Sequence, residues 1–486
     1  MERVIAFDLG AGSYRAIEGI YQNGSISFRE LARYKHTPVF MEGHYYWDVD
    51  KIYENLVRLL YQLERDKVQI DAVGFDTWGA DFGLLDENGR LLSPPVAYRD
   101  SYAEGMLNGY PIREKWYPSV GGGFEGTTTA GMLAGMKEKK FEPLARAKHL
   151  LMMPDLLYYM FTGKMINEYT IATTSRLLNA VTGEWDRGMI KELGISPGLF
   201  GEITQPGGRR DSLKEELVSS APGLSGTKAV VVAGHDTAAA VSTMEERAGQ
   251  AFISSGSWSV MGVVCGNPCL EEKACSYRLE NEGQAGKKIR LLRNITGLWI
   301  LEECMRDWNA GGIRVELTQL IQEAEKVERF QSVIYTDAPC FRGIGGMPGK
   351  IQDFCRKTGQ KLPQKPSEFA AAIIQGLAFE YRKLKEELEE VTGNRITTIS
   401  IVGGGAKNSW LSQCAADATN CEVICGYAEA AAAGNAMMQL YALGKIEKTA
   451  DFYKVLNDFE KRKRYVPARY KEWDREYKRY LQIRIG

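Results

Sequence analysis

Short apolar runs separated by polar turns fill the first part of the chain. Residues 4–7 are all apolar and predict a buried strand, and residues 16–21 predict a strand that returns beside it. Asn23-Gly24 is a typical two-residue hairpin turn between that strand and the next one. Residues 52–63 carry apolar side chains at helical spacing, and residues 72–75 form another apolar run. Strands followed by a helix and a further strand predict an α/β domain with a mixed sheet.

The second half repeats this order of elements. The apolar run 251–253 leads into a Ser/Gly turn, and residues 258–264 predict a strand that returns beside it. Apolar positions between 369 and 391 mark one face of a long helix that should end near Gly393. The apolar strand 398–402 follows and ends in three glycines. The repetition predicts two related α/β halves.

Composition and charge narrow the function classes. Of the 486 residues, 44% are hydrophobic and 25% are charged, as in ordinary globular proteins. The formal net charge of −1 gives no electrostatic surface for nucleic acid. No apolar run approaches the ~20 residues that span a bilayer, and the first residues, Met1-Glu2-Arg3, do not begin a signal peptide. We therefore expect a cytoplasmic protein that binds neither nucleic acid nor membrane.

An acidic turn follows the first strand. Asp8 ends the apolar run and is followed by Gly10, Gly12, Ser13 and Arg15. Such a turn offers backbone N–H groups to a phosphate, and Arg15 could offset the phosphate charge. Asp8 could hold Mg²⁺ through water, because Mg²⁺ keeps several waters and needs few carboxylates. The alternative is an ordinary hairpin with a capped turn.

A second acidic turn, Gly234-His235-Asp236-Thr237, follows the apolar run 229–233. A sugar hydroxyl is a poor nucleophile, and a carboxylate at this position could accept its proton as the bond to phosphorus forms. Asp236 is our candidate for that general base, and Thr237 with the following Ala-rich helix could meet a phosphate. Asp236 could also be a plain helix N-cap, and His235 a structural histidine. Two such turns in one chain predict a kinase.

Other segments carry weaker signals. Residues 76–82 and 98–100 combine polar groups with an aromatic ring, as a sugar site requires, although a strand end with a packed tryptophan would look the same. The glycine run 403–405 would let the backbone approach a flat ligand or a phosphate closely. Gly349-Lys350 lacks the remainder of a Walker A motif, which argues against a P-loop kinase.

Taken together, these motifs resemble the FGGY carbohydrate kinase family from Asp8 to about Leu443. The resemblance implies an α/β protein with two ribonuclease-H-like domains of the actin-like ATPase fold and a ligand cleft between them. It implies transfer of phosphate from MgATP to a ketose, first of all L-rhamnulose. It also implies an N-terminal domain over 1–245 that binds sugar and phosphate, a nucleotide-binding domain over 246–445, and a helical tail over 446–486 packed on the body.

The resemblance also assigns contacts to positions of this chain. The expected ATP contacts are Ala11, Gly12, Ser13, Tyr14, Arg15, Ser257, Glu302 and Gly404. The expected sugar contacts are Gly79, His235, Asp236, Thr237 and Asn294, with Asp236 as the proton acceptor. Two positions depart from the family pattern. Tyr14 stands where such kinases usually have a glycine and should crowd the phosphate loop, and Glu302 replaces a nucleotide-contacting glutamine with a negative charge.

Two alternatives stay open. Epimeric sugars differ in the direction of one hydroxyl, which the order of loop residues does not fix, so a kinase for L-fuculose or xylulose is the first alternative. A non-catalytic actin-like ATPase is the second, although filament proteins do not need the acid at position 236. The sequence leaves open whether the protein is a monomer or a homodimer.

Overall fold

The computed structural model describes residues 1–103, 112–123, 127–459 and 462–485. Up to residue 245 the elements are β1 Glu2–Gly10, β2 Ser13–Gln22, β3 Ser25–Lys35, β4 Val39–Met41, β5 His44–Tyr46, α1 Val49–Arg65, β6 Ala72–Thr77, β7 Phe82–Leu85, α2 Ile112–Val120, α3 Thr129–Glu138, α4 Glu142–Arg146, β8 His149–Met152, α5 Met153–Thr162, β9 Asn167–Glu168, α6 Tyr169–Thr174, α7 Arg187–Glu192, β10 Ile203–Thr204, β11 Arg210–Ser212, α8 Glu215–Ser220, β12 Lys228–Val230 and α9 Asp236–Val241.

The remaining elements are β13 Gln250–Ser255, β14 Trp258–Cys265, α10 Glu272–Ser276, β15 Glu280–Gln284, β16 Lys288–Thr296, α11 Trp299–Ala310, α12 Leu317–Ala324, α13 Met347–Lys357, α14 Pro366–Thr392, β17 Thr398–Val402, α15 Ser409–Thr419, β18 Glu422–Cys425, α16 Ala430–Ala442, α17 Phe452–Phe459, β19 Lys463–Tyr465 and α18 Tyr470–Ile485. The chain divides into two compact units. The first comprises Met1–Glu245, Val264–Leu291 and Ala430–Lys461, and the second comprises Glu246–Val263, Leu292–Glu429 and Arg462–Gly486.

The first unit is built on a mixed sheet with strand order β11-β12-β6-β1-β2-β3. β1, β2 and β3 form the predicted antiparallel meander, and β6 pairs parallel with β1. Asn23 and Gly24 both have positive φ, 52° and 81°, as a hairpin turn that follows strand twist requires. The predicted meander, helix and return strand are therefore confirmed.

The two faces of this sheet bury different side chains. Ile5, Phe7 and Leu9 on one face of β1 join a core with residues of α1 and α5. Successive side chains of a strand alternate between faces, so the residues between these three point the other way. On that second face α16 packs against β1 and β6, with Gln439 donating to the carbonyl of Ile5 at 3.0 Å. Asp8 belongs to this second face.

The strand predicted at 229–233 is shorter than expected. β12 ends at Val230, and beyond it the N–H of Val231 donates to the carbonyl of Arg209 while the carbonyl of Val231 accepts from the N–H of Gly207. The chain stays close to the end of β6, where the N–H of Thr77 donates to the carbonyl of Gly234 at 2.8 Å. This contact fixes the backbone immediately before Asp236.

The second unit contains a sheet in which β14, β13, β17, β18 and β19 are successive neighbours. β13 and β14 form the predicted hairpin, and β17 pairs parallel with β13. α14 is buried along most of its length and ends at Gly393, which adopts the left-handed conformation with φ 67°. The predicted long helix and its end are confirmed.

The residues after 445 contain α17, β19 and α18. α17 packs on β3 within the first unit, whereas β19 pairs with β18 and α18 packs on α15 within the second unit. None of the described helices is long and apolar enough to cross a bilayer.

Candidate active site

Two carboxylates lie near the ends of neighbouring parallel strands of the first unit. Asp8 of β1 lies opposite Asp76 of β6 in the strand register, and both are buried, at 4% and 0% exposure. Asn435 of α16 donates to Asp76 Oδ2 at 2.6 Å. Burial and the charge of Asp8 nevertheless raise the pKa of Asp76 well above its ordinary range. The second face of the sheet therefore ends in a concentrated acidic pair.

Arg15 lies across the hairpin from Asp8. Its Nε and Nη2 both donate to Asp8 Oδ2, at 3.0 and 2.7 Å. The turn between them is open, since Gly12 is exposed and a Cβ added to it would meet nothing within 4 Å. The backbone from Ala11 to Ser13 is therefore accessible to a ligand.

The Tyr14 side chain does not enter this turn. It is 2% exposed, stacks on Tyr34 at 4.9 Å and accepts a hydrogen bond from Asn55 at 2.6 Å. Tyr14 pairs with Leu9 in the strand register and joins the same core. The expectation that Tyr14 crowds the phosphate loop is wrong, because strand alternation directs the ring inward. A contact between Tyr14 and ATP stays a prediction, and such a contact would be made by the backbone of Tyr14.

Asp236 is the first residue of α9 and lies beside the end of β6. Its side chain is 32% exposed, and its Oδ1 accepts from the N–H and Oγ1 of Thr237, at 2.5 and 3.1 Å. Burial and the charge of Asp8 raise the pKa of Asp236, whereas His235 and Thr237 oppose this rise. The structure thus brings Asp8 and Asp236 together at one end of the sheet. Of the two, Asp236 is the solvent-accessible carboxylate, and its pKa is raised.

His235 contacts a buried ion network. Its Nδ1 lies 3.0 Å from Nη2 of Arg290 and 3.4 Å from Oε2 of Glu282, and its Nε2 lies 3.4 Å from Oδ1 of Asp236. Glu282 also binds Arg176 at 3.0 Å. Although burial acts against it, the charges of Arg176 and Arg290, together with the contact to His235, hold the pKa of Glu282 far below its ordinary range. The imidazole is thereby fixed between the network and Asp236.

Gly79 follows β6 and is half-buried. A Cβ at this position would meet the Thr174 side chain at 3.2 Å, so a larger residue would disturb α6. Asp81, two residues later, is 1% exposed and accepts from the indole N–H groups of Trp47 and Trp78, at 2.5 and 2.7 Å. In segment 76–82 the Asp81 carboxylate therefore holds two tryptophans in the core.

Of the predicted contacts in the second unit, Ser257 and Gly404 lie on turns, Asn294 lies on β16 and Glu302 lies on α11. Ser257 Oγ donates to both carboxylate oxygens of Glu302, at 2.9 and 2.8 Å. The glycine turn after β17 lies against the end of β13, where a Cβ at Gly405 would meet Ser255 Oγ at 2.0 Å. Gly404 itself is exposed with open space beside it, and Asn294 is exposed on β16.

The sequence did not single out several residues of this site. Asp76 was named only as part of the candidate sugar segment 76–82, although the rule that selected Asp8 applies to it as well, since it also follows an apolar run at the end of a strand. No local pattern marks Glu168, Glu282, Arg290 or Asn435, because they reach the site from three separate parts of the chain, with Glu282 and Arg290 on the adjacent strands β15 and β16. These four are visible only in three dimensions.

The acidic end of this sheet is where Mg²⁺ would bind. Among the described residues, no group of three or more His, Cys, Asp or Glu side chains is placed to hold a metal ion directly. Asp76 Oδ1 is nevertheless buried without a hydrogen-bond partner, and Asp8 and Asp236 contribute further negative charge. This donor set fits Mg²⁺ held by one or two carboxylates through water.

Two family models together match most of the chain. The N-terminal domain of the FGGY family of carbohydrate kinases matches residues 3–242, and its C-terminal domain matches residues 251–443. The rhamnulokinase of Bacteroides thetaiotaomicron is 34% identical over 480 residues, which cover 98% of each chain. The rhamnulokinase of Oceanobacillus iheyensis is 35% identical over 450 residues, covering 91% of this chain and 94% of the relative.

Solved structures agree on the fold. A ligand-bound xylulose kinase from Lactobacillus acidophilus superposes with a TM-score of 0.83 at 16% identity, covering 100% of this chain and 98% of that one. A Plasmodium falciparum glycerol kinase with ADP gives 0.80 at 16% identity, covering 99% and 97%. The predicted fold class, two α/β domains of the actin-like ATPase fold, is confirmed.

Proposed function

This chain belongs to the FGGY family of carbohydrate kinases, and we propose that it transfers a phosphoryl group from ATP to L-rhamnulose. The product would be L-rhamnulose 1-phosphate, in the catabolism of L-rhamnose. The choice of sugar is supported by the identity with rhamnulokinases, which extends over nearly the whole chain.

The observation that carries the proposal is the placement of Asp236. This partly exposed carboxylate begins α9, next to the partly buried His235 and close enough to Asp8 for the two charges to interact. It is suited to accept the proton of the attacking sugar hydroxyl, while His235, Thr237, Gly79 and Asn294 would bind the sugar. A carboxylate that served only as a helix cap would not need the electrostatic coupling to Asp8.

The phosphates would meet the open turn after β1. Backbone groups of Ala11, Gly12, Ser13 and Tyr14 would donate to them, and Arg15 would offset their charge. Asp8 would hold Mg²⁺ through water, and the ion, when bound, neutralises charge on the phosphates during transfer. Ser257, Glu302 and Gly404 would contact the nucleotide. This assigns sugar and phosphate binding to residues 1–245 and nucleotide binding to residues 246–445, with 446–486 as a C-terminal tail.

We further propose that the protein works in the cytoplasm as a monomer or homodimer, with a ketose and ATP as its small-molecule partners. This follows from the substrates, since ATP and a free ketose are metabolites of that compartment. Size-exclusion chromatography with light scattering would distinguish the two oligomeric states.

A coupled assay of ADP release over L-rhamnulose, L-fuculose and D-xylulose tests the proposal. We expect kcat/KM to be highest for L-rhamnulose, with no turnover of the aldose L-rhamnose, and loss of activity when Mg²⁺ is chelated. Preference for L-fuculose or xylulose would assign a sister specificity, and ATP hydrolysis indifferent to every sugar would indicate an actin-like ATPase. Asp8→Asn should raise the Mg²⁺ concentration needed for half-maximal rate and leave the KM for sugar unchanged.

A further inference from the structure

Glu168 is a buried carboxylate that joins two distant parts of the first unit. It is 1% exposed and caps α6, accepting from the N–H groups of Thr170 and Ile171, at 2.8 and 2.9 Å. Its Oε2 also accepts from Thr170 Oγ1 at 2.7 Å and from the N–H of Gly234 at 2.9 Å. Capping explains the first two bonds, but the bond to Gly234 crosses 66 residues of sequence.

A second hydrogen bond holds His235, the residue after Gly234 in the same turn. The hydroxyl of Thr170 donates to Glu168 and accepts from the N–H of His235 at 3.2 Å. The two consecutive N–H groups that precede Asp236 are therefore bound by Glu168 and Thr170. We call these two residues the turn anchor.

Gly234 fits closely against this anchor. A Cβ at Gly234 would lie 2.9 Å from Glu168 Oε2 and 2.9 Å from Pro154 Cγ. Such distances are closer than side-chain carbons approach their neighbours, so only glycine lets the backbone reach the carboxylate. The carbonyl of Gly234 is held on β6 by the N–H of Thr77. The peptide group between Gly234 and His235 is thus fixed on both sides, its carbonyl by Thr77 and its N–H by Thr170.

A neighbouring acid affects the charge of the anchor. Asp155 Oδ1 accepts from the N–H of Glu168 at 3.1 Å, and its other oxygen is buried without a hydrogen-bond partner. Burial and the charge of Glu168 raise the pKa of Asp155 well above its ordinary range. Burial also raises the pKa of Glu168, but the hydrogen bonds that Thr170, Ile171 and Gly234 donate to it oppose that rise, so Glu168 is the acid of the pair whose charged form is stabilised. Charge-assisted bonds to the Gly234 and Thr170 groups are stronger than neutral ones.

We propose that Glu168 and Thr170 are positioning residues, which set the direction of Asp236 by fixing the backbone of Gly234 and His235. The catalytic part of this inference rests on the proposed role of Asp236 as the base. A base misplaced by about 1 Å from its proton can lose roughly a hundredfold in rate, so a rigid backbone before Asp236 has a functional consequence.

The test uses substitutions that change one hydroxyl and preserve shape. Thr170→Val removes the acceptor for His235, and Thr170→Ser restores it. Thr162→Val is a matched control, because the buried Thr162 hydroxyl donates to a carbonyl and accepts from an N–H in the same way, at the C-terminal end of α5. Glu168→Gln is a second variant that removes the charge of the anchor.

Two readouts separate the inference from the proposed function. Amide exchange of a peptide covering residues 231–240 should become about tenfold or more faster in Thr170→Val and Glu168→Gln, and stay at the wild-type rate in Thr170→Ser and Thr162→Val. With the ketose that the wild type phosphorylates best, kcat should fall about ten- to hundredfold in Thr170→Val, with the KM for ATP unchanged.

Unchanged exchange in Thr170→Val would overturn the inference, and so would equal losses of kcat in Thr170→Val and Thr162→Val. Failure of Thr170→Ser to recover kcat would overturn it as well. If the wild type phosphorylates none of the ketoses, the proposed function fails, but amide exchange still decides whether Glu168 and Thr170 hold the turn.

Discussion

Nη2 of Arg290 donates a hydrogen bond to Nδ1 of His235 across 3.0 Å. A guanidinium has donors and no acceptor, so Nδ1 must be the acceptor in this bond. The ring proton of His235 is then on Nε2, which lies 3.4 Å from Oδ1 of Asp236. Arg290 therefore selects the tautomer of the residue next to the proposed base.

Arg290→Lys should disturb this tautomer. Nη2 of Arg290 contacts both Glu282 and His235, at 3.2 and 3.0 Å, while its Nε donates to the carbonyl of Gly283 at 3.1 Å, and the single ammonium of lysine cannot reproduce this two-nitrogen arrangement. We expect a loss of about tenfold in kcat/KM for the sugar, with the KM for ATP unchanged. Nitrogen-15 NMR of histidine-labelled protein should show unprotonated Nδ1 in the wild type and mixed tautomers in the variant.

Arg176→Lys is the control for this substitution, because Arg176 also pairs with Glu282. It should leave the tautomer of His235 unchanged. The His235 signal can be assigned from its disappearance in His235→Gln, since the chain has only four histidines. A protonated Nδ1 in the wild type would contradict the assignment.

Asp236→Asn should retain the fold and ATP binding while kcat falls by about a thousandfold or more, because an amide cannot accept the hydroxyl proton. A variant that kept a tenth of the wild-type kcat would rule out Asp236 as the base. Calorimetric titration with ATP and the unfolding temperature serve as controls for binding and folding.

The pH profile tests the environment of Asp236. The base acts in its ionised form, and burial and Asp8 raise its pKa above the ordinary value of 3.8. Activity should therefore be lost, as the pH falls, at a higher pH than an ordinary aspartate would give. Asp8→Asn removes one negative charge, so the acid limb of kcat/KM should move to lower pH in that variant. An acid limb that does not move would show that Asp8 and Asp236 are not coupled.

Much of the fold could be predicted from sequence because its signals are local. Alternation in β1 to β3, the Asn23-Gly24 turn and the apolar face of α14 each lie within a short window. Asp8 and Asp236 could also be predicted as site residues, because each follows a run of apolar residues that indicates where a strand ends.

The remainder of the site depends on distant contacts. Glu168 meets Gly234 only after α6 and the end of β12 are placed, and Arg290 meets His235 across the first unit. The inward direction of Tyr14 follows from its pairing with Leu9 across two strands, which no short window of sequence shows. Position in the sequence suggested a crowded loop, whereas strand register places the ring in the core.

Glu302→Gln should strengthen nucleotide binding. Glu302 is exposed on α11 and accepts from Ser257 Oγ through both oxygens, so it adds a negative charge at a proposed ATP contact. Glutamine keeps a similar shape and an acceptor for Ser257. We expect the KM for ATP to fall about two- to fivefold at low ionic strength, and the difference to shrink in salt because exposed charges are screened.

Glu323→Gln on α12 is a matched control for this prediction, since it removes an exposed carboxylate that binds Gln319 instead. It should leave the KM for ATP unchanged. A Glu302→Gln variant with weaker ATP binding would mean that the carboxylate itself contacts the nucleotide favourably.

The last prediction concerns stability and Asp81. This carboxylate is 1% exposed, and burial raises its pKa to about 7, against the two indole hydrogen bonds that lower it. The folded protein thus binds this proton more tightly than the unfolded chain, whose aspartate titrates near 3.8. The stabilisation from this proton is complete below pH 3.8 and is lost as the pH rises to about 7.

Each pKa unit corresponds to about 1.4 kcal/mol, so the free energy of unfolding should fall by a few kcal/mol across this window because of Asp81. The asparagine of Asp81→Asn does not titrate, so the variant should lack this decline. The difference in free energy of unfolding between the variant and the wild type should therefore change between pH 4 and pH 8 and stay constant above that range. Urea unfolding at several pH values measures it. Asp86→Asn is the control, because the N–H of Arg90 lowers the pKa of the exposed Asp86 and should give a small effect of opposite sign. A pH-independent difference for Asp81→Asn would mean that the Asp81 carboxyl does not gain a proton on folding.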